Sequence, residues 1–422
     1  MTPVETIPIQ PWMSDPATRS VMAAISIADS DGPSALFVGG CVRDALLGRE
    51  VGDVDIATVH APDAVMGLLD SAGIGYHTIG ADHGTVAAHA DSRAFEITTL
   101  RVDVETDGRR AKVAFTDDWN LDASRRDFTM NALYANAEGH VFDPLGGMGD
   151  LKARRVRFIG DPNERIQEDA LRILRFFRFH AQLDIGVFDR DGLTACMNHA
   201  GMVNDLSGER VCAEIQKLLT SGDPVASLRA MFEAKILSVA LPQLQNIDGL
   251  AALVRLDDRD DRDDSSVFVR RLVSMILNET AAREIAGRLR LSRAEAGRLV
   301  SLLVRATEIG PELTIVERRT YLYRVGELSW RDTVLLNWAM EITTGLALDD
   351  DRMTAWREVL HAPESYPMPE FSLRGADVLD LGVPQGPEVS RLLDAVEAWW
   401  IDGGFDADRA ACLNELRRRI DS

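Results

Sequence analysis

The stretch from Phe37 to Thr58, FVGGCVRDALLGREVGDVDIAT, constrains the fold of this 422-residue chain more than any other segment. The apolar run Ala35 to Val38 is typical of a buried strand, and two glycines stop it. A short helix is predicted from about Val42 to Leu47, and a second strand from Asp53 to Ala57. This order of elements predicts a mixed α/β unit near the start of the chain.

The rest of the chain divides into two parts by its apolar pattern. Further strands are predicted from Thr85 to His89 and from Phe95 to Leu100, and the polar stretch 102–124 is long enough for a hairpin or lid. Beyond about Leu151, apolar residues recur at helical spacing through most of the chain. The sequence therefore predicts an α+β protein, with a mixed-sheet head followed by an all-α remainder.

Asp53 and Asp55 are the first candidates for chemistry. Because they are two positions apart on a predicted strand, their carboxylates are expected to project to the same side and to share divalent cations. Nucleotidyl transfer uses such a pair, since two metal ions stabilise both the attacking hydroxyl and the departing oxygens. Mg²⁺ suits the site because it prefers oxygen ligands and substrate phosphates. A lone Asp-x-Asp is common, so the prediction depends on its combination with the glycine turn.

The glycine turn itself predicts a phosphate-binding loop. Gly40 would let backbone N–H groups approach a phosphate closely, and the N-terminus of the next helix adds a favourable dipole. Arg43 lies in that helix, near enough to pair with phosphate oxygens. A tight turn without a ligand is the alternative for the two glycines taken alone.

The distribution of charge bears on the partner. A formal charge of −21 argues against a non-specific coat on nucleic acid, which needs clustered cations. Between Lys152 and Arg178, however, there are eight Lys or Arg against four Asp or Glu. The acidic run Leu256 to Ser266 is predicted to be a solvated loop. A basic segment in an acidic chain is compatible with a specific nucleic-acid partner.

Several motifs together resemble the tRNA nucleotidyltransferase and poly(A) polymerase family, in its class II branch within the polymerase-β superfamily. They span residues 37 to 179 in the family's order: GGCVRDALLG with DVD, then RRDFTMNAL (125–133), DPLGGMGD (143–150) and EDALRILRFFRF (168–179). The resemblance implies a catalytic nucleotidyltransferase head at 1–150, a helical neck at 151–220 that recognises the nucleotide, and a helical body and tail at 221–422 that bind tRNA. It also implies addition of C, C and A to the tRNA 3′ end from CTP and ATP, with release of pyrophosphate.

The resemblance also implies roles for residues of the head. Arg126 matches a nucleotide contact, with a salt bridge to Asp127 as the alternative. Glu96 would be a third carboxylate beside Asp53 and Asp55, as metal ligand or general base, with pairing to Arg101 as the alternative. Arg109 and Arg110 lie in the polar stretch where the family has a loop that reorganises between C and A addition, and an exposed turn is the alternative.

The segment Glu168 to Phe179 predicts how a base is selected. Four charged residues recur every three positions: Asp169, Arg172, Arg175 and Arg178. This spacing predicts neighbouring positions on one helix. The arginines would then repel one another without a compensating anion or nucleotide. Cytosine and adenine each present an amino donor beside a ring-nitrogen acceptor, and an Asp beside an Arg matches this pattern. Uracil and guanine present a carbonyl acceptor beside an N–H donor, which the same two side chains would oppose. We therefore expect Asp169 to accept from the amino group and Arg172 to donate to the ring nitrogen, with Arg175 and Arg178 contacting the neighbouring nucleotide.

Three other functions remain open at the level of sequence. A poly(A) polymerase of this family typically has an arginine-rich segment after the Asp-x-Asp strand, but Tyr76 to Ala90 contains no Lys or Arg. An enzyme that adds only A or only CC is disfavoured by the intact Asp169 and Arg172 pair. A tRNA-binding protein without activity is disfavoured by the retention of both aspartates.

Location and partners follow from what the sequence lacks. No apolar stretch approaches the roughly 18 residues of a spanning helix, and the N-terminus has no basic segment followed by an apolar one. The four cysteines have no CxxC spacing, which argues against a zinc site. We therefore expect a cytoplasmic protein without membrane association, and nothing in the sequence implies an obligate protein partner.

Overall fold

The computed structural model describes residues 1–26, 32–79, 84–107, 110–184, 187–257, 264–345, 349–366 and 368–421. The chain divides into two compact units, Met1–Pro242 and Gln243–Ser422. The first unit contains the strands and the second is helical wherever it is regular, so the predicted α+β class is confirmed. The predicted domain bounds at 150 and 220 both fall inside the first unit and remain predictions.

The strands of the described residues all lie before residue 143. They are Glu5–Thr6 (β1), Ala35–Val38 (β2), Asp55–Thr58 (β3), Gly75–Thr78 (β4), Thr85–Ala90 (β5), Arg93–Thr99 (β6), Arg101–Asp107 (β7), Arg110–Phe115 (β8), Tyr134–Ala135 (β9) and His140–Phe142 (β10). In the described part of the chain, eight of them form one mixed sheet in the order β1-β10-β9-β2-β3-β6-β5-β4. β3 and β6 are parallel. β7 and β8 form a separate hairpin, which confirms the hairpin predicted within 102–124.

Short helices complete the first unit. They are Pro11–Ser14 (α1), Pro16–Ile25 (α2), Gly40–Leu46 (α3), Pro62–Ser71 (α4), Trp119–Ser124 (α5), Gly147–Lys152 (α6), Pro162–Glu168 (α7), Leu171–Gln182 (α8), Arg190–Asn198 (α9), Gly208–Leu219 (α10), Val225–Glu233 (α11) and Ile236–Ala240 (α12). Helices α2 and α4 contact β5, and α4 also contacts β4. Ile56, Val86 and Ile97 lie in one cross-strand row and are buried. The row that begins at Asp55 lies on the opposite face.

The second unit consists of helices. They are Ile247–Leu256 (α13), Asp264–Ser274 (α14), Glu279–Arg288 (α15), Arg293–Arg305 (α16), Ile315–Thr343 (α17), Asp350–Leu360 (α18), Ala362–Ser365 (α19), Gly375–Asp380 (α20), Pro387–Asp402 (α21) and Arg409–Ile420 (α22). Gly326, at φ 76°, interrupts the helical backbone of α17. In the described residues, no helix has both the length and the apolar character needed to cross a membrane.

The acidic run 256–266 is only partly described, because residues 258–263 lie outside the described residues. At its edges the prediction of a solvated loop was wrong. Asp257 accepts hydrogen bonds from Arg270 and Arg271, each at 2.9 Å, and Ser266 is buried beside Asp332. Packing of α14 brings these arginines to the carboxylate, which the local composition does not reveal.

Candidate active site

The two predicted metal-binding carboxylates lie at the start of β3. The strand begins at Asp55, where it first pairs with β6, and Asp53 lies exposed before it. The prediction that both aspartates lie on the strand was therefore wrong. Val54 and Ile56 are buried, whereas Asp55 is half-buried, so the alternation of burial still turns both carboxylates away from the core.

Glu96 lies directly beside Asp55, because the parallel register of β3 and β6 pairs these two residues. The pKa of Asp55 is raised from 3.8 to about 6, mainly by burial, then by the negative charge of Glu96. Arg126 opposes this shift, and Asp53 adds to it. Three carboxylates and one guanidinium therefore interact electrostatically beside these two central strands of the sheet, with an excess of negative charge.

The glycine turn connects β2 to α3 as predicted. Gly39 has φ 74° and ψ −121°, a conformation that favours glycine, and its N–H donates to the carbonyl of Leu133 at 3.1 Å. A Cβ atom at Gly39 would lie 3.7 Å from Nη1 of Arg126. The turn therefore brings backbone close to a cation, and Gly40 begins α3 at the same point.

Arg43 is oriented by side chains of two other segments. Its Nη1 donates to Oδ1 of Asn131 at 2.8 Å, and Nη2 donates to Asp44 at 2.8 Å. Asn131 in turn donates to Oδ1 of Asp127 at 2.9 Å. Because both ends of the Asn131 amide are bonded, the orientation of the Arg43 guanidinium is fixed relative to the RRDFTMNAL segment.

Arg126 pairs with Asp122, so the alternative of a salt bridge to Asp127 was wrong. Its Nη2 donates to Asp122 at 2.9 Å, and the hydroxyl of Tyr134 donates to the same carboxylate at 2.9 Å. Burial would raise the pKa of Asp122, but Arg126 and Arg125 outweigh it and hold that pKa at about 2. Asp122 therefore stays ionised and fixes Arg126 beside Gly39.

Asp169 lies in a break between two helices. Helix α7 ends at Glu168 and α8 begins at Leu171, with Asp169 in an extended conformation between them. The prediction that Asp169 shares a helix with the three arginines was therefore wrong. Its Oδ1 accepts from the backbone N–H of Leu171 at 3.1 Å, and its Oδ2 accepts from Arg210 at 2.7 Å. These bonds set the orientation of the carboxylate.

Arg172 lies in the first turn of α8 and is anchored to the end of α7. Its Nη1 donates to the carbonyl of Arg165 at 2.6 Å and to Glu168 at 2.6 Å. Arg165 also donates to the carbonyl of Arg126 at 2.6 Å. The guanidinium of Arg172 is thereby held near the chain segment that carries Arg126.

Arg175 and Arg178 are compensated by carboxylates of the protein, which are the anions that the sequence left open beside a nucleotide. Arg175 donates to Asp127 at 2.7 Å, and Arg178 donates to Glu214 at 2.5 Å. Only 5% of Arg178 is exposed, whereas 31% of the Arg175 side chain is. Helix α10, which carries Glu214, supplies the anion that the spacing of the arginines requires.

Replacing Glu214 by Gln should lower the free energy of unfolding by about 3 kcal/mol, because it leaves the buried Arg178 without its ion-pair partner. Urea unfolding at neutral pH measures this directly. The matched control is Glu233→Gln, at an exposed position of α11, which should change stability by less than about 0.5 kcal/mol. Equal stability of the two variants would show that the pair does not hold α8 to α10.

Glu214 and Asp122 were missed by the reasoning from sequence. Glu214 occupies an apolar position of α10, between Val211 and Leu218 on the buried face, and an acid in such a position signals a buried cation. Asp122 lies in a polar stretch where no local pattern distinguishes it. Arg109 lies outside the described residues, and so does the side chain of Arg110, although its backbone belongs to β8.

Two family models match the chain. The model described as the poly A polymerase head domain matches residues 35–157, and the one described as a probable RNA and SrmB-binding site of polymerase A matches residues 188–247. The first match contains the glycine turn, the three carboxylates and Arg126. The second contains Arg210 and Glu214, which contact Asp169 and Arg178.

Full-length relatives extend the similarity to the helical part. The chain is 31% identical to mitochondrial CCA tRNA nucleotidyltransferase 1 of Mus musculus over 393 residues, covering 90% of this chain and 86% of the relative. It is 31% identical to the CCA-adding enzyme of Streptococcus gordonii over 422 residues, covering 99% of both chains. The crystal structure of the Bacillus stearothermophilus CCA-adding enzyme in complex with CTP aligns with a TM-score of 0.74 and 26% identity, over 96% of this chain and 98% of that one.

Proposed function

Because the chain belongs to the family of CCA-adding tRNA nucleotidyltransferases, we infer that it adds C, C and A to the 3′ end of tRNA from CTP and ATP, without a nucleic-acid template. The observation that carries this function is the cluster of carboxylates on β3 and β6 beside the glycine turn. Nucleotidyl transfer requires a cation that is held by acidic side chains next to a phosphate-binding loop.

Asp53 and Asp55 are proposed to hold Mg²⁺. The donor set fits, because two carboxylates together with substrate phosphates are the usual ligands of this ion. The raised pKa of Asp55 fits as well, because burial and then the charge of Glu96 disfavour the ionised carboxyl, and a bound cation would stabilise it. Within the described residues, no group of three or more His, Cys, Asp and Glu side chains forms a metal site, so substrate oxygens would complete the coordination. When bound, Mg²⁺ would activate the attacking hydroxyl and stabilise the departing pyrophosphate.

The remaining groups of the head are proposed to position the reactants. Gly40, Arg43 and Arg126 would bind the triphosphate, since backbone and both guanidinium groups meet at the glycine turn. Glu96 is exposed beside Asp55, and its carboxylate would accept the proton of the tRNA 3′-hydroxyl. That hydroxyl attacks the α-phosphate, and pyrophosphate leaves.

The neck is proposed to take the place of a template. Asp169 would accept from the amino group of cytosine or adenine, and Arg172 would donate to the ring nitrogen. The bonds from Arg210 and Leu171 hold Asp169 ready for this contact. Arg175, which is partly exposed, would contact the neighbouring nucleotide, whereas the burial of Arg178 favours a positioning role through Glu214.

Incubation with tRNA that lacks its 3′ end tests the function. We expect CTP alone to give two added residues, ATP alone to give no efficient extension, and both together to give three. Extension by many residues with ATP alone would instead identify a poly(A) polymerase, and extension that stops after CC or needs a CC end would identify a partial enzyme.

Affinity for Mg²⁺ is predicted to fall as the pH is lowered through about 6. Below the raised pKa of Asp55, its carboxyl is protonated and no longer binds a cation. Titration with Mg²⁺ above and below this pH measures the effect without requiring activity. Glu96→Gln is the matched variant, because removing its charge lowers the pKa of Asp55 and should move the transition to lower pH. A transition that stays in place in this variant would contradict the assignment.

The β7–β8 hairpin is predicted to affect the last addition most. The polar stretch 102–124 lies where the family has the loop that reorganises between C and A. Shortening the hairpin at its tip, around Asp107 to Arg110, should suppress addition of A more than addition of C. Separate single-turnover assays on tRNA ending before C and before A compare the two rates. Equal losses would show a general structural role instead.

A further inference from the structure

A pair of histidines lies on the edge hairpin of the large sheet, away from the residues discussed above. His77 is on β4 and His89 on β5. Nδ1 of His77 lies 2.6 Å from Nε2 of His89, and the ring planes are within 15° of parallel with centroids 4.8 Å apart. Both side chains are exposed to solvent. Two imidazole nitrogens therefore face each other where a solute can reach them.

The register of the sheet places this pair on the same face as the catalytic carboxylates. Asp55 pairs with Glu96, Glu96 with Ala87, and Ala87 with His77, so the four residues form one row across β3, β6, β5 and β4. His89 is two positions from Ala87 and shares that face. At about 4.8 Å between strands, His77 is about 14 Å from Asp55. The pair therefore lies on the catalytic face but beyond direct contact with the carboxylates.

We propose that His77 and His89 form a binding site for a divalent transition-metal cation that prefers imidazole, such as Ni²⁺, Cu²⁺ or Zn²⁺. Metal–nitrogen bonds to His are about 2.0–2.1 Å, so two ligating nitrogens lie about 3 Å apart. The rings need to separate by less than about 1 Å and to turn, so that the two nitrogens that now face each other both point at the cation. One of the two facing nitrogens now carries a hydrogen. When the cation binds, this proton moves to the other nitrogen of the same ring, so that both facing nitrogens offer a lone pair. Water completes the coordination.

This site differs in chemistry from the carboxylate cluster. Imidazole nitrogen selects transition metals, whereas carboxylate and phosphate oxygens select Mg²⁺. A cation bound by both histidines links the edge strand β4 to β5. Because it binds the folded hairpin and not the separated strands, it raises the temperature of unfolding.

Isothermal titration with Ni²⁺ tests the proposal, using full-length protein without a histidine tag and in excess Mg²⁺ to occupy the carboxylates. We expect one Ni²⁺ per chain. His77→Gln and His89→Gln should each weaken binding by about 100-fold, because a chelating pair becomes a single ligand. His140→Gln removes an exposed histidine of β10 and is the matched control, which should bind as the wild type does.

Thermal unfolding gives a second readout. Ni²⁺ should raise the unfolding temperature of the wild type and of His140→Gln, but not of His77→Gln or His89→Gln. All variants should keep wild-type CCA addition in Mg²⁺, which shows that they fold. Undiminished affinity for Ni²⁺ in the two hairpin variants would overturn the proposal, and so would an equal loss in His140→Gln.

Discussion

Replacing Asp55 by Asn is expected to abolish nucleotide transfer while making the protein more stable in the absence of divalent cations. The carboxamide keeps the shape of the side chain but not the charge that is proposed to hold Mg²⁺, so the rate should fall by about 1,000-fold or more. In the cation-free protein, burial and Glu96 disfavour the ionised carboxyl, and its pKa rises from 3.8 to about 6. The ionised group therefore lowers stability above pH 6, and Asn removes this effect.

Two measurements on the same variant separate catalysis from folding. Single-turnover addition of C measures the rate, and thermal unfolding at neutral pH in a chelator measures stability. Asp63→Asn, at an exposed position in the first turn of α4, is the control and should leave the rate unchanged. Loss of activity together with loss of stability would indicate a structural role for Asp55. Retained activity would exclude it as the metal ligand.

Replacing Asp169 by Ala is expected to weaken the preference for CTP and ATP over UTP and GTP. The carboxylate is proposed to accept from the amino group that cytosine and adenine carry at the position where uracil and guanine carry a carbonyl, and a carboxylate repels that carbonyl. Loss of one such polar contact should reduce discrimination by about 10- to 100-fold. The measurement is kcat/KM for each nucleotide in single additions.

Asp169 also accepts a hydrogen bond from the N–H of Leu171 at the start of α8, so the loss of this bond needs its own control. Asp161→Ala removes bonds of the same kind at the start of α7, where Asp161 accepts from the N–H of Asn163 and Glu164. It should cost about 1 kcal/mol of stability without changing discrimination. Discrimination that is equal in both variants would contradict the proposed role of Asp169.

The head could be predicted closely because its signals are local. The strand Ala35–Val38 and the glycine turn depend on an apolar run followed by glycines, and both were confirmed. The start of β3 was missed because it depends on β6, which first pairs with it at Asp55. That partner is 41 positions away in the chain, and no local pattern reveals where pairing begins.

In the neck, the pattern identified the charged residues but not their partners. A spacing of three suggested one continuous helix, yet α8 begins only after Asp169. The arginines were expected to need an anion or a nucleotide, and Asp127 and Glu214 supply the anions through the packing of distant segments. Such ion pairs follow from tertiary structure, so the sequence could predict the cations and not how each charge is balanced.

The most direct test of protein-directed CCA addition is to sequence the 3′ end formed when the enzyme receives tRNA lacking that end and all four nucleotides together. Competition among the four bases leaves selection to the protein alone. We expect C, C and A in this order and no further addition. Incorporation of U or G at rates like those of C and A, or a run of A residues, would contradict it.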